Sequence, residues 1–392
     1  MANTNFNQIA LILNGIAAQA TGHSQIVPTN TAEFMSLATI TLAAGYDPIM
    51  NAISLMQGRT HFSERAYKGK FASLMYDSQK WGAMERKLNL IDGEFDNDPS
   101  FELTDGVSVD MYKVNLPKPL QMNFYGSNVF KKYYTITLDQ LNCAFRSADE
   151  LASFWAMVTQ NNADIIEQCR ENTRRALVAN EIASIYQYGN TEQVIHCLTE
   201  YNAETGLSLT AQTVFQPANY RPFMQWLYSR INTVAEFMTE RTELYHMNIS
   251  GKPIKRHTPK SEQKAFIYTP MKYQAQSMAD ANTYHEGLVG FASNEAVNFW
   301  QSVKTPGTVK VSPAYLDVSD GTVKSVASNS PITVENVIGC IFDTEHMGVT
   351  SINERTIATP INADGLYYNM YHHFTMRYFA DATENFVLLL LD

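Results

Sequence analysis

His372 and His373 are the one adjacent histidine pair in the chain, and imidazole is the side chain most often used for proton transfer and metal ligation. Tyr368, Met370, His372, Phe374, Met376 and Tyr378 alternate with more polar neighbours, which predicts an extended strand. Neighbours on a strand point to opposite faces, so the two imidazoles do not share one metal. The nearest acids, Asp364 and Asp381, do not stand at ligand spacing. Glu345-His346 lacks the second histidine of an HExxH helix, and Gly287 and Gly290 are followed by no GK[ST] that would complete a phosphate cradle. No GxSxG occurs, and no histidine has an evident Ser or Cys partner. Asp96, Asn97 and Asp98 look like the start of a calcium loop, but the glycine and the distal glutamate of that loop are missing. Cys143, Cys169, Cys197 and Cys340 are scattered and form no CxxC, which fits a reduced, intracellular chain. The basic group Lys252, Lys255, Arg256, His257 and Lys260 reads as a solvated loop, with a contact to an acidic partner as the second reading. These patterns predict no catalytic, cofactor-binding or metal site, and they lower the odds of an enzyme.

Bulk composition points away from several other classes. The chain has 392 residues, enough for a large core and two or three domains. Apolar residues make up 45% and charged residues 17%, against about 25% charged in ordinary soluble domains. Many faces are therefore expected to meet other protein. The net charge of −10 argues against adhesion to nucleic acid or to an acidic membrane. Tyrosine and phenylalanine are spread along the chain, as in packing rather than in a base-stacking platform. The first cation is Arg59, so no signal peptide is expected. No apolar run reaches membrane-spanning length; the ending Phe386 to Leu391 reads as a short buried strand.

The elements that must position these residues are dominated by one helix. A strand-like run, Val129 to Leu138, gives way to a stretch without proline or glycine that ends at Tyr188. Ser147 is the expected N-cap, with Glu150 placed to close a capping box. Leu151, Phe154, Trp155, Val158, Ile165, Ile166, Cys169, Leu177, Ile182 and Ile185 follow helical spacing, and Gly189 is the expected stop. At 1.5 Å per residue the rod is about 60 Å long, against roughly 11 to 12 residues for a usual helix. Ahead of it, residues 1–58 carry only Glu33 and Asp47 as charges. Phe6, Ile9, Leu13 and Ile16 share a helical face. Asn30 caps a second helix that ends near Gly45, and Asp47-Pro48 opens a third that closes at Gly58. So few charges do not suit a disordered tail. This arm needs a surface, on its own chain or, in the reading adopted, along a neighbouring subunit. Between arm and rod, Trp81 to Leu90 alternates, with Met84, Arg86, Leu88 and Leu90 on one side. An acidic, turn-rich GEFDNDPS segment follows, and strand character returns at Val109 to Val114 and after Pro119. This reads as a two-stranded excursion that must lie on something. Downstream, Phe223, Leu227, Ile231, Val234 and Met238 mark an amphipathic helix. Lys264 to Tyr268 is a short strand, Thr269-Pro270 opens a helix through Met278, and residues 301–333 are loop-like or β. Val337 to Phe342 is a buried strand, and Asp364-Gly365 is a turn. No internal repeat appears.

In this order of parts the chain resembles the major capsid proteins of tailed bacteriophages, with the Hong Kong 97-like fold. The stretches that carry the resemblance are WGAMERKLNL, the helix SADELASFWAMVTQNNADIIEQCRENTRRAL and the ending from VIGCIF to FVLLLLD. That ending, with its Asp381-x-x-Glu384-Asn385 turn, is similar to the capsid proteins of short-tailed phages. The resemblance implies an α+β fold with an N-terminal arm (1–59), an extended β-ribbon loop (60–130), a peripheral domain with the spine helix (131–200, completed by 335–392) and a mixed α/β axial domain (201–334). It implies a structural protein, without cofactor, that self-assembles into pentamers and hexamers of an icosahedral or prolate head enclosing double-stranded DNA without sequence-specific binding. Scaffolding and portal proteins, and a decoration protein in some relatives, are the implied partners. Assembly would take place in the host bacterial cytoplasm, with no membrane involved. Some relatives begin with a charged scaffolding segment; none is seen here, so a separate scaffold or prior cleavage is expected. Some crosslink Lys to Asn between subunits; Lys68 and Lys70 lie in the corresponding region, and no crosslink is expected. A cellular encapsulin-type nanocompartment shell and, further off, a soluble α/β enzyme are the alternatives.

Overall fold

The computed structural model describes residues 6–23, 26–57, 69–76, 85–91, 105–106, 108, 112, 114, 116–273 and 293–392. Three helices come first: α1 (Phe6–Thr21), α2 (Thr31–Ala43) and α3 (Tyr46–Gln57). Asn30 caps α2 by accepting from the Glu33 amide at 2.9 Å, and the Glu33 carboxylate reaches back to the Thr29 amide. That reciprocal capping holds the Glu33 carboxyl below its usual value. α3 begins one residue ahead of the expected Asp47, which becomes part of its first turn.

The expectation that this arm covers a neighbour meets a different arrangement. Ile9, Leu13, Ile16, Phe34, Ile49 and Ile53 form one core with Leu141, Phe154, Trp155, Tyr368 and Met370 of the same chain. The Tyr368 hydroxyl donates to Asp47 at 2.9 Å, and the Tyr46 hydroxyl donates to Asn142 at 3.0 Å. The physical reason is supply. The open end of the long helix and the adjoining sheet offer apolar surface nearby in space, and each fully buried aliphatic side chain adds about 1.5–3 kcal/mol.

The ribbon is an antiparallel pair of β1 (Glu85–Leu90) and β2 (Pro119–Phe124), in register from Glu85 opposite Phe124 to Leu90 opposite Pro119. The connection between them lies almost wholly outside the described residues, Asp96, Asn97 and Asp98 included. β3 (Ser127–Thr137) leads into the short α4 (Leu138–Ala144), a helix the sequence reading missed. Thr137 and Gln140 cap it reciprocally, the Ser/Thr-x-x-Glu/Gln pattern of a capping box.

α5 (Ala148–Tyr188) is the expected rod, 41 residues long. Ser147 accepts from the Glu150 amide at 3.2 Å, and the Gly189 amide closes on the Ile185 carbonyl. Its first turns lie in the core with α1–α3; its second half, through Val178, Ile182 and Ile185, lies in another core against sheet. Residues 69–76 cross this second half. Gly69 passes so near that a Cβ would sit 3.0 Å from Arg174, Glu167 and Glu171. Phe71 is buried edge-on against Phe266, with the Arg175 guanidinium 5.2 Å from its ring.

After α5 come β4 (Val194–His196), α6 (Cys197–Thr205), α7 (Pro217–Phe237), β5 (Gln263–Tyr268) and β6 (Ser293–Val297). Four short strands follow: β7 (Val309–Val311), β8 (Ala314–Asp317), β9 (Thr322–Ser325) and β10 (Ile332–Val334). The chain ends with β11 (Val337–Asp343), β12 (Met347–Ala358), β13 (Tyr367–Ala380) and β14 (Phe386–Leu390). The helix expected from Thr269 is present at residues 269–273; its continuation lies outside the described residues. The expected apolar positions Phe223, Leu227, Ile231 and Val234 of α7 are buried, as is Met238 at its C-cap.

Two sheets organise these strands. One has the order β4-β14-β11-β5-β6, the other β12-β13-β3. In the five-stranded sheet side chains alternate between two cores, as period two demands. Phe386, Leu388 and Leu390 face α5, while Val387, Leu389 and Leu391 face α6 and α7. The near-continuous hydrophobic run at the end of the chain is thus a strand buried on both sides. This sheet draws strands from both sides of residue 334. β11 and β14, assigned with residues 335–392 to a separate peripheral unit, hydrogen-bond to each other, and β11 pairs in turn with β5.

A polar junction and the faces left open

Of the three connections between the two sheets, one runs from β3 through α4 and α5 to β4, and the other two pass through one place. β11 becomes β12 across residues 344–346, and β13 becomes β14 across residues 381–385. Each run leaves an apolar sheet and must satisfy its backbone within the protein. Asp381 does so for the second run, accepting from the Thr383 amide and hydroxyl, while its own amide donates to the His346 carbonyl. Asn385 donates to Thr258 at 3.0 Å, and Thr258 donates to Asp343 at 2.7 Å. The Asp-x-x-Glu-Asn turn noted in the sequence is therefore the centre of a buried network.

Charges from three other parts of the chain converge on it. Lys87 of β1 places Nζ 3.0 Å from Asp381, 3.0 Å from Glu345, and in contact with Glu384. Arg256 lies 3.0 Å from Glu384 and donates through Nε to the Thr383 carbonyl. Burial works against the Lys87 charge, but Asp381 and Glu384 outweigh it and raise its pKa above the lysine norm. Burial lifts the Glu384 carboxyl above its ordinary value, against the pull of Lys87 and Arg256. His346 donates from Nδ1 to the Glu384 carbonyl, which leaves Nε2 3.3 Å from Glu181 of α5. His246 donates from Nε2 to Ile254 at 2.6 Å, and burial holds it below the usual imidazole value. The junction thus ties ribbon, long helix and both sheets together with charge.

The residues singled out in the sequence are not brought together. His372 faces inward on β13, 2.8 Å from Thr356 and 3.3 Å from Glu354, whereas His373 faces out. Glu345 and His346 diverge, one toward Lys87 and the other toward Glu181. The basic group splits: Arg256 turns into the junction, Lys260 pairs with Glu236, and Lys252 and His257 stay exposed. Cys197 and Cys340 are buried, Cys143 is exposed and Cys169 is half-buried, all as free thiols. Gly287, Gly290 and Lys68 lie outside the described residues; Lys70 is exposed. Among the described residues no cluster suits a metal, and no helix is long and apolar enough to cross a membrane. A cavity of about 920 Å³ lies between β2, α5 and the β8–β9 hairpin, lined largely by Leu120, Met122, Phe130, Leu177, Leu316 and Tyr378. Its two buried carboxylates, Glu181 and Asp381, are already engaged by His346 and Lys87.

What the chain does offer is open apolar surface. The ribbon docks with the face that carries Lys87, Leu120 and Met122, the last two against Ile249, Ile254 and Leu316. The side expected to hold the apolar stripe points away from the body, with Leu88 65% and Leu90 63% exposed. Beyond it, Tyr112, Val114 and Leu116 are more open still, at 78–80%. Outer residues of β3, Val129 and Tyr133, are 72% and 65% exposed. Alternation alone could not say which ribbon face docks; the lysine, seeking the carboxylates of residues 381–384, decides it.

Large apolar side chains exposed on the arm, the ribbon and the sheet mark surfaces suited to meeting other protein. Two solved structures with the same fold come from bacteriophages. One is the capsid of Staphylococcus phage Andhra, with 12% identity, a TM-score of 0.57, and 85% of this chain and 87% of that chain covered. Another is a structure of the head fibre and inner core protein of bacteriophage P68, again at 12% identity, with a TM-score of 0.56 and the same coverage. At that identity the likeness concerns fold alone, and it agrees with the Hong Kong 97-like architecture read from the sequence. No curated protein sequence matches the chain. The model of the Phi29-like phage major capsid protein family matches residues 10–390, and the chain belongs to that family. It is a shell-forming head protein of the virion, a structural protein and not an enzyme, and its copies associate with one another.

Proposed function

We propose that copies of this chain join into pentamers and hexamers that close an icosahedral or prolate head around double-stranded DNA, held without sequence-specific contacts. Residues 60–130 act as the extended loop that overlaps the next subunit. The three-stranded sheet and α5 form the peripheral part. Residues 201–334, with β11 and β14 completing their sheet, form the axial part around the ring centres. Residues 1–59 act as an arm whose inner face is satisfied at home and whose outer residues, Leu11 and Ile40 among them, are open to neighbours. A scaffolding protein and a portal protein serve as assembly partners in the host bacterial cytoplasm, with a decoration protein as a further partner on the finished head. The observation that carries this reading is the ribbon. Its root is anchored by Lys87 while Leu88 and Leu90 are presented outward. Heterologous contacts of this kind close into rings when the rotation allows.

The test is assembly of the full chain with Leu88 and Leu90 both replaced by serine. The expected result is a folded subunit with native circular dichroism and no closed particles by electron microscopy. Normal shells from that variant would remove the ribbon from the interface.

A further inference from the structure

The cavity between β2, α5 and the β8–β9 hairpin has a volume of about 920 Å³. That lies near the upper end of the roughly 300–1,000 Å³ usual for small-ligand pockets. Leu120, Met122, Phe130, Leu177, Leu316 and Tyr378 give it an apolar body. Polar groups on the same wall are bonded within the chain. Asn180 donates to the Ala314 carbonyl at 3.1 Å and accepts from the Ala314 amide at 2.8 Å. Thr173 donates to the Cys169 carbonyl at 3.1 Å. What these walls offer a guest is burial and dispersion.

Four charged residues line the cavity: Glu181, Lys252, Asp320 and Asp381. The three carboxylates are held by the chain itself, Glu181 by His346, Asp381 by Lys87, and Asp320 by Lys324 at 3.2 Å. Lys252 is exposed. Its neighbours Arg256 and Lys260 pair with Glu384 and Glu236, but among the described residues no carboxylate stands within ion-pair distance of Lys252. A tight turn fixes its place. The Lys252 amide donates to the Ile249 carbonyl at 2.9 Å, and Gly251 takes the left-handed φ of +72° that the turn needs. The Ser250 amide ties that turn to the hairpin, donating to the Val318 carbonyl at 2.8 Å. One uncompensated cation thus stands at the edge of an apolar cavity. We propose that the cavity binds a single-chain carboxylate of the fatty-acid class, with its tail among Leu120, Met122, Leu177 and Leu316 and its head at Lys252. An inorganic anion would leave the apolar walls empty, and an uncharged apolar guest would leave Lys252 unmatched. Side chains of a second copy are the competing occupant. The walls belong to ribbon, long helix and hairpin, so a bound tail fixes the root of the ribbon against the body.

The experiment titrates the dispersed full-length chain with octanoate, decanoate and dodecanoate below their micellar range, followed by isothermal titration calorimetry. One molecule per chain is expected, with affinity rising about fourfold per added methylene, the equivalent of about 0.8 kcal/mol. K252E should weaken dodecanoate about fivefold, the scale of an exposed ion pair, and leave dodecanol unchanged. A176W, at an exposed position of α5 on the cavity wall, should abolish binding of both. Bound dodecanoate should slow alkylation of Cys169, which lines the cavity, and leave that of the exposed Cys143 unchanged. Native circular dichroism of both variants keeps folding out of the comparison. Several molecules per chain, with Cys169 unprotected and A176W without effect, would mean adsorption on exposed apolar surface and would overturn the proposal. Equal dodecanoate affinity in K252E would remove the head site. No amphiphile binding, with A176W blocking association of copies, would give the cavity to a second copy. None of these titrations needs a shell, so a failure here leaves the assembly reading standing.

Discussion

Replacing Lys87 with methionine tests the junction directly, because the chain length is kept and only the charge is lost. In the folded protein Asp381 and Glu384 would face each other with 1% and 7% of their side chains exposed. Breaking a buried ion pair on one side costs about 3–5 kcal/mol. Two facts reduce that here. Arg256 stays 3.0 Å from Glu384, and Lys87 itself is 20% exposed. Glu345, at 68% exposure, adds little. The expected loss is about 2 kcal/mol, read from urea unfolding of the full chain by circular dichroism. Pairing the change with Glu384→Gln should give a coupling energy of about 1–2 kcal/mol.

The pH dependence gives a second handle, and its sign follows from linkage. Without Lys87 the Glu384 carboxyl, already raised by burial, rises further. A folded state that binds the proton more tightly than the unfolded chain gains stability as pH falls. The deficit of the variant should therefore shrink on acidification toward the carboxylate range. In the unaltered protein Lys87 has its pKa raised above 10.5, so its contribution is complete below that value and is lost as pH climbs past it. A loss under about 0.5 kcal/mol, the range of ordinary surface changes, with no pH trend, would refute the claim that the ribbon is held by charge.

Other consequences are as definite. Leu13→Ala should cost about 2–5 kcal/mol in the dispersed subunit, because Leu13 is fully buried against its own chain; an unchanged unfolding midpoint would return the arm to a neighbour. Thr173→Pro, at a described position inside α5, should cost about 3 kcal/mol or more and lower the helical signal. Gly126→Ala should destabilise by about 1–3 kcal/mol, since its Cβ would meet the Tyr378 carbonyl at 2.6 Å, and differential scanning calorimetry would show the fall. His246 is held neutral by burial, so its contribution is present above 6.5 and lost as pH falls below that value. His246→Gln should flatten this part of the stability profile, and an identical profile would assign the acid sensitivity to another group.

Legibility in the sequence followed the range of the interaction concerned. The ends of α5 were readable because Ser147 and Gly189 act within four residues of themselves. The arm helices were readable for the same reason, through Asn30 and Glu33. α4 could have been found by the same rule, since Thr137 and Gln140 form a capping box. Pairings across the chain were not readable. The strand at residues 337–343 has an unmistakable composition, but composition does not say that its partners are residues 263–268 and 386–390. The turn Asp381-x-x-Glu384-Asn385 was visible as a motif; that Lys87, nearly three hundred residues earlier, would enter it was not. The arm was assigned to a neighbour because low charge shows only that a surface is needed, not whose surface it is.

The placement of charge at the junction has a structural logic that apolar packing would not supply. Met347, Val349, Phe374 and Met376 of the three-stranded sheet share a core with Phe342, Phe386 and Leu388 of the five-stranded one, and besides the long route through α4 and α5 the chain crosses between the sheets at residues 344–346 and 381–385. An apolar core sets shape by close packing and tolerates little displacement. Ion pairs and hydrogen bonds set distance and direction between a few named atoms, and each can be exchanged for another partner or for water without opening a cavity. Glu181 brings α5 into the network through His346, and Lys87 brings in the ribbon through Asp381. The orientation of ribbon, helix and sheets is thus decided together, at one site, by groups whose removal perturbs all of them. A subunit that presents one ribbon to its neighbours needs that ribbon aimed by the same framework that carries the sheets, and the Lys87 cluster is where the two are joined.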